Sequence, residues 1–230
     1  MTFILTNDDG IDAPGIQALS QVLENQGLGS LGMIVAPVRE YSGCGHQVTT
    51  RHPLQLQQRS ERAVAVAGTP ADCVRVAISH LCSDIDWVIA GINPGGNMGV
   101  DVYISGTVAA VREAAFHGIP AIALSQYRQG GKPVNWEVTT GLATQVLGEL
   151  LSRELAPGYF WNVNFPYWVP DTPHPDLVFC QPSRQPLPLA YQVEGDTLYY
   201  TGKYGERTYE AGTDVAVCFA GHIAVTQLPV

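Results

Sequence analysis

From its first residues to about position 155 the chain alternates short apolar runs with segments of helical periodicity, and each apolar run ends on small or polar residues. Parallel strands need a crossover between them, and a helix is the usual filling, so this alternation predicts βα units joined into a mainly parallel sheet. Strands are expected at 2–6, 32–36, 64–67, 87–91 and 120–125. A helix is expected from Ala13-Pro14-Gly15 to about Gln26, with Pro14 near its start, where the missing amide donor costs nothing. Others are expected from Thr69 to about Leu81, at 136–152, and at 105–117, where Val108, Val111, Ala115 and Phe116 lie about one helical turn apart. After Pro157 the texture turns Pro-rich, with short β-rich runs. Trp161–Phe165 and Thr197–Thr201 read as strands, Glu194-Gly195-Asp196 as a hairpin bend, and 215–227 as one or two strands. The expected class is α/β with a C-terminal β-rich arm: residues 1–230 as a single domain, from which 182–212 projects as a hairpin used in assembly.

Composition narrows the function classes. Hydrophobic residues make up 46% of 230 and charged residues 14%, the balance of a packed globular enzyme. Lys and Arg number 12 against 21 Asp and Glu, a net charge of −9, with lysine only at Lys132 and Lys203. No basic run exists to neutralise several phosphates at once, which argues against binding a polynucleotide backbone. The five cysteines are widely spaced with no C-x-x-C, as in a reduced cytoplasmic protein. No stretch is apolar over the length a membrane span requires, and the N-terminus enters a strand without a leader pattern.

Four polar turns fall at or near predicted strand ends: Asn7–Gly10, Arg39–Gly43, Gly68–Asp72 and Gly91–Asn97. In a parallel sheet these ends share one edge, so the turns are expected to converge on one cleft. Asp8 and Asp9 repel each other unless something positive lies between them, and a hard divalent cation is the simplest occupant. Ordinary turn and capping chemistry is the competing reading of the pair. Ser42 and Asn93 are suitable in type and place to complete an oxygen shell. Ser105-Gly106-Thr107 opens a helix and offers hydroxyls and unpaired amides to an anion, with simple capping by Ser105 as the alternative. No H-E-x-x-H or G-x-S-x-G occurs, which removes zinc-protease and α/β-hydrolase readings. His46 is expected to be structural, and Trp136, Trp161 and Trp168 to be core or interface.

The stretch Ile4–Gly15 resembles the opening signature of the survival protein SurE family of metal-dependent nucleotidases. Colinear matches follow at Ala36-Pro37 to Gly45-His46, Gly68–Cys73, Ala90–Asn93 and Ser105–Val108, with weaker ones at Asn162–Pro166 and Gly212–Asp214. The resemblance implies a Rossmann-like three-layer fold and hydrolysis of nucleoside 5′- and 3′-monophosphates by metal-assisted attack of water. It implies one divalent cofactor, magnesium or manganese with calcium able to stand in, on Asp8, Asp9, Ser42 and Asn93. Asn97, Ser105, Gly106 and Thr107 would line the phosphate site, and Gly43 would donate its amide there. Catalysis would then rest on Asp8, Asp9, Asn97, Ser105 and Thr107. Val38 stands where the family usually has Asp, and Val100 replaces the first of two acidic residues, leaving Asp101. A homodimer is expected; a homotetramer is less so, because the chain ends soon after its last strand. Alternatives are a nucleotide-binding regulatory module without turnover, a short-chain polyphosphate hydrolase, and an aspartyl-phosphate enzyme, whose usual D-x-D spacing is absent.

Overall fold

The computed structural model describes residues 1–170 and 172–230. Its strands are β1 (Thr2–Thr6), β2 (Ser30–Pro37), β3 (Leu56–Ser60), β4 (Ala63–Val66), β5 (Trp87–Asn93), β6 (Ala121–Gln126), β7 (Tyr159–Phe165), β8 (Leu177–Phe179), β9 (Tyr191–Glu194), β10 (Thr197–Tyr200) and β11 (Ile223–Pro229). The helices are α1 (Pro14–Gln26), α2 (Pro70–Val76), α3 (Gly106–Phe116), α4 (Trp136–Leu150) and α5 (Asp214–Phe219). Nine strands form one sheet in the order β3-β4-β2-β1-β5-β6-β7-β11-β8, parallel from β4 through β7. The outer β3 and β11 pair antiparallel with their inner neighbours. The fold is α/β, mainly parallel and Rossmann-like, with a small antiparallel β9–β10 hairpin toward the C-terminus.

Alternation along the strands builds two cores. Phe3 and Leu5 of β1 face one side, where Leu19 and Leu23 of α1 and Leu142 and Val146 of α4 pack; Ile4 faces the other side, with Val74 of α2 and Val108 and Val111 of α3. β6 shows the same division, with Ile122 and Leu124 toward α1 and α4, and Ala121 and Ala123 toward α3. The small residues on that second face, matched by Ala110 and Ala114 of α3, let helix and sheet approach closely. Each central strand is thus buried on both faces, as its apolar run predicts.

Four local differences separate the structure from the sequence expectation. Residues 215–227 are not strand throughout: Asp214–Phe219 is a helix and only Ile223–Pro229 is extended. Asp214 decides this, since its carboxylate accepts from the amides of Gly99, Ser183 and Val215 and pins the start of α5. The helix at Thr69–Leu81 is regular only to Val76, then widens into a π-turn over Ala77–Leu81. β3 and β8 are edge strands that the expectation lacks: every residue of β3 is exposed, and β8 is only the three residues Leu177–Phe179. Between Met98 and Ser105 a 3₁₀ turn, Gly99–Tyr103, precedes α3.

Chain order reverses between β1 and β5. From β1 the chain moves outward through β2 and β4, then returns through α2 to β5 on the opposite side of β1. The loops after β1 and β5 therefore diverge and leave a crevice at the carboxyl ends of the strands, where open α/β sheets bind ligands.

Candidate active site

The turn after β1 is closed by Asn7. Its side-chain amide donates to Gly10 O at 2.7 Å and its Oδ1 accepts from Gly10 N at 3.2 Å, while Gly10 takes φ +105°, where a side chain would strain the backbone. Asp8 and Asp9 are presented from this turn with little freedom. The Tyr41 amide donates to Asp8 O at 2.7 Å and ties the loop carrying Ser42 to the same turn.

Asp8 is buried and packs on the start of α3. Its Oδ1 accepts from the Thr107 hydroxyl, and a Cβ on Gly106 would lie 2.8 Å from Asp8 Cβ, so only glycine lets the acid sit so near the helix N-terminus. Burial raises the pKa of Asp8, against the Thr107 hydrogen bond that lowers it. Asp9 is pushed up to about 7, by burial first and then by the charges of Asp8 and Glu40. Its Oδ2 is buried without any partner among the described residues. Two neighbouring carboxylates thus repel each other, and the charge of Glu40 adds to that repulsion. An orphaned carboxylate oxygen beside a second acid is the vacancy a divalent cation fills, so the residues fit such an ion. Among the described residues no cluster of three or more His, Cys, Asp or Glu suits a metal, so a cation here rests on paired carboxylates and neutral oxygens, the donor set of a hard ion.

The neutral donors lie at the neighbouring strand ends. Asn93 ends β5, its side-chain amide donating to Gly95 O at 2.8 Å, which reserves Oδ1 for another partner. The exposed Ser42 donates to Glu40 Oε1 at 2.6 Å, and neither it nor Asn93 hydrogen-bonds to the acid pair. Gly43 next to it is exposed at φ +72°. At α3, Ser105 is the N-cap, its Oγ accepting from Val108 N at 3.1 Å. Capping leaves the Gly106 and Thr107 amides outside the helix ladder, available to an anion. The Gly68–Asp72 turn serves as a brace, since Asp72 accepts from Thr49 N, Thr49 Oγ1 and Thr69 N and holds the chain that follows the Ser42 loop.

Asn97 is fixed more firmly than its Gly-rich loop would imply. Its amide donates to Asn164 Oδ1 at 2.7 Å, its carbonyl accepts from Asn162 at 2.9 Å and Asn164 at 3.0 Å, and its side chain donates to Ser125 Oγ at 2.8 Å. Asn162 and Asn164 were not among the expected site residues. Two asparagines at i and i+2 on a strand otherwise built of Tyr159, Phe160, Trp161, Val163 and Phe165 are the signal that marks them. Glu40 is a second omission, visible only once the loop folds against the acids. His46 is structural as expected: its Nε2 lies 2.8 Å from Glu113, which also holds Arg75 and His117.

Fold and site together define an α/β protein whose topological switch point brings a pair of buried carboxylates against the capped start of a helix. The family model for the survival protein SurE matches residues 3–186, and the chain belongs to that family. A Nostoc sp. relative is 55% identical over 230 residues, the full length of both chains. The 5′-nucleotidase SurE of Xanthomonas axonopodis pv. citri is 35% identical over 239 residues, covering 100% of this chain and 90% of that one. The crystal structure of the SurE protein from Aquifex aeolicus superposes with a TM-score of 0.85 at 29% identity, covering 100% of this chain and 93% of that one.

Proposed function

We propose that this chain is a nucleotidase that hydrolyses nucleoside 5′- and 3′-monophosphates to nucleoside and phosphate, with one magnesium or manganese ion. The orphaned, buried Asp9 carboxylate beside Asp8, at the mouth of an anion-binding helix, is the observation that carries this reading. Asp8, Asp9, Ser42 and Asn93 would hold the ion. When bound, it supplies positive charge against the phosphate oxygens and a Lewis acid for the attacking water. The amides of Gly43, Gly106 and Thr107 and the Ser105 hydroxyl bind the remaining phosphate oxygens, which keeps an anion in a protein of net charge −9. The Asn97 carboxamide, aimed by Ser125, offers its second hydrogen to the same group. Thr107 holds Asp8 in its productive rotamer through the hydroxyl it donates. Phosphate release is expected from a panel of 5′- and 3′-monophosphates with magnesium or manganese, and none with EDTA. Absence of metal-dependent release across that panel overturns the assignment.

The β9–β10 hairpin supports a homodimer, with the 182–212 segment as an arm projecting from a single domain. Leu189, Tyr191, Val193, Leu198, Tyr199 and Tyr200 are all exposed on or beside it, an apolar patch that a monomer would leave in water. Leu198→Asp is expected to reduce the solution mass to the 24.7 kDa monomer by light scattering; an unchanged mass overturns the role of the arm. Five unpaired thiols support a cytoplasmic location.

A further inference from the structure

A cavity of about 390 Å³ opens beside Asp9, between the start of α1, the end of β2, the loop after β5 and the start of α4. It shares Asp9 with the acid pair but none of the residues of the α3 start. Its walls are Pro14, Val38, Pro94 and Trp136, flat or apolar surfaces, and Asp9 and Arg39 also line it. Gly15 explains why the indole stands there: a Cβ at that position would lie 2.0 Å from Ile92 O and 3.2 Å from Trp136 Cη2. With no side chain on Gly15, α1 packs directly on the end of β5 and the tryptophan closes over the gap. Trp136 was expected to be core or interface. It does pack on the core between α1 and α4, yet it is only half-buried, and its remaining surface lines the cavity.

We propose that this cavity is the nucleoside subsite, with Trp136 stacking on the base and Arg39 reading its acceptor edge, so that purines are preferred to pyrimidines. The assignment rests on the nucleotidase reading and adds to it the location of the leaving group. The volume lies at the small end of the range for ligand pockets, about 300–1,000 Å³, which admits a base and ribose and excludes a polynucleotide. Flat apolar walls suit the π-face of a base, and the larger purine covers more of the ring. Arg39 is exposed, carries only side-chain donors, lines the cavity and lies 5.1 Å over the Tyr41 ring. Such a fork matches the paired acceptors on a purine edge, O6 and N7 of guanine above all. Asp9 belongs to both places, so the cavity adjoins the acid pair where the phosphate is proposed to bind.

The test compares wild type, Trp136→Leu and Arg39→Ala, the first variant keeping an apolar side chain on the core and the second altering an exposed side chain. Each is assayed on guanosine and adenosine 5′-monophosphate, cytidine 5′-monophosphate and ribose 5-phosphate, which lacks a base. Trp136→Leu is expected to lower kcat/KM for the purine nucleotides about 10-fold or more, the loss of one base–aromatic stack, with ribose 5-phosphate unchanged within about 2-fold. Arg39→Ala is expected to narrow the purine-over-pyrimidine ratio. Equal losses on every substrate, or no loss on any, overturn the subsite. Guanosine and adenosine, neither of which carries phosphate, are also titrated against the indole fluorescence in EDTA. Quenching in wild type that is absent in Trp136→Leu supports the subsite, and quenching that is absent in wild type or retained in the variant overturns it. The titration separates the two readings: a protein that hydrolyses no monophosphate yet shows Trp136-dependent quenching keeps the cavity and loses the nucleotidase.

Discussion

Asp9→Asn is expected to make the metal-free protein more heat-stable while removing its metal-dependent phosphatase activity. The two effects share one cause. In the absence of a cation the Asp9 carboxylate is buried, lacks a partner for Oδ2, and feels Asp8 and Glu40, which is why its pKa rises to about 7. An amide of the same shape keeps the turn held by Asn7 and removes the repelling charge. An unpartnered buried polar group costs about 1–3 kcal/mol, and charge adds to that. In a chain of this size each kcal/mol moves the midpoint about 2–4 °C, so a rise on the order of 5 °C is expected in EDTA. Activity falls in the other direction. Loss of a residue that merely orients a metal ligand costs about 10–100-fold, so loss of a ligand should cost at least about 100-fold. Thermal unfolding with and without added manganese, beside phosphate release, checks both halves. Wild type should gain stability from the ion and Asp9→Asn should not; a variant that is destabilised in EDTA, or still stabilised by manganese, refutes the assignment of Asp9.

How much of this was legible in the sequence differs between strand and loop. The central strands announce themselves because both faces are buried: Phe3-Ile4-Leu5 or Val88-Ile89-Ala90 has no solvent-facing position to fill with polar residues. Edge strands lack that constraint, and the fully exposed Leu56–Ser60 carries no pattern to read. Residues 214–219 mislead for a different reason. Their order alternates like a strand, and only the capture of Asp214 by the distant amides of Gly99 and Ser183 makes the helix the better solution. The cleft was predictable from strand ends, since parallel topology brings Asp8, Asp9, Asn93 and Asn97 to one edge whatever the loops do. The supports behind it were not. Asn162 and Asn164 reach Asn97 across more than 60 residues of sequence. Trp136 is both a core residue and a cavity wall, and no periodicity separates those roles. Arg207 and Tyr204 lie in a polar, turn-laden stretch where nothing local distinguishes a buried cation from a solvated one.

Arg207→Met is expected to be the most destabilising single change outside the hydrophobic cores, and it should also lower activity from outside the cleft. The Arg207 side chain is 0% exposed, its guanidinium donating to Asp101 Oδ2 at 2.7 Å, and the Tyr204 hydroxyl donates to the same oxygen at 2.6 Å. Asp101 in turn accepts from Met98 N at 3.2 Å, so the cluster sets the 3₁₀ turn that joins Asn97 to Ser105. Removing the cation leaves Asp101 buried with only neutral donors, which costs about 3–5 kcal/mol. At about 2–4 °C per kcal/mol the midpoint should fall on the order of 10 °C. A salt bridge this deeply buried is costly to break but not necessarily costly to replace, because desolvation of both ions offsets most of their attraction. Asp101→Asn combined with Arg207→Met is therefore expected to recover more than half of the lost stability, since position 101 no longer buries a charge without its cation and Asp214 keeps its three backbone donors. Activity should not recover in step, for the double variant restores neither the ionic anchor of the turn nor the positions it gives Asn97 and Ser105. Urea unfolding of the two single variants and the double variant yields the coupling energy, and phosphate release from the same proteins separates stability from positioning. A single variant within about 1 kcal/mol of wild type, or a double variant that regains full turnover, would remove Arg207 from the support of the site.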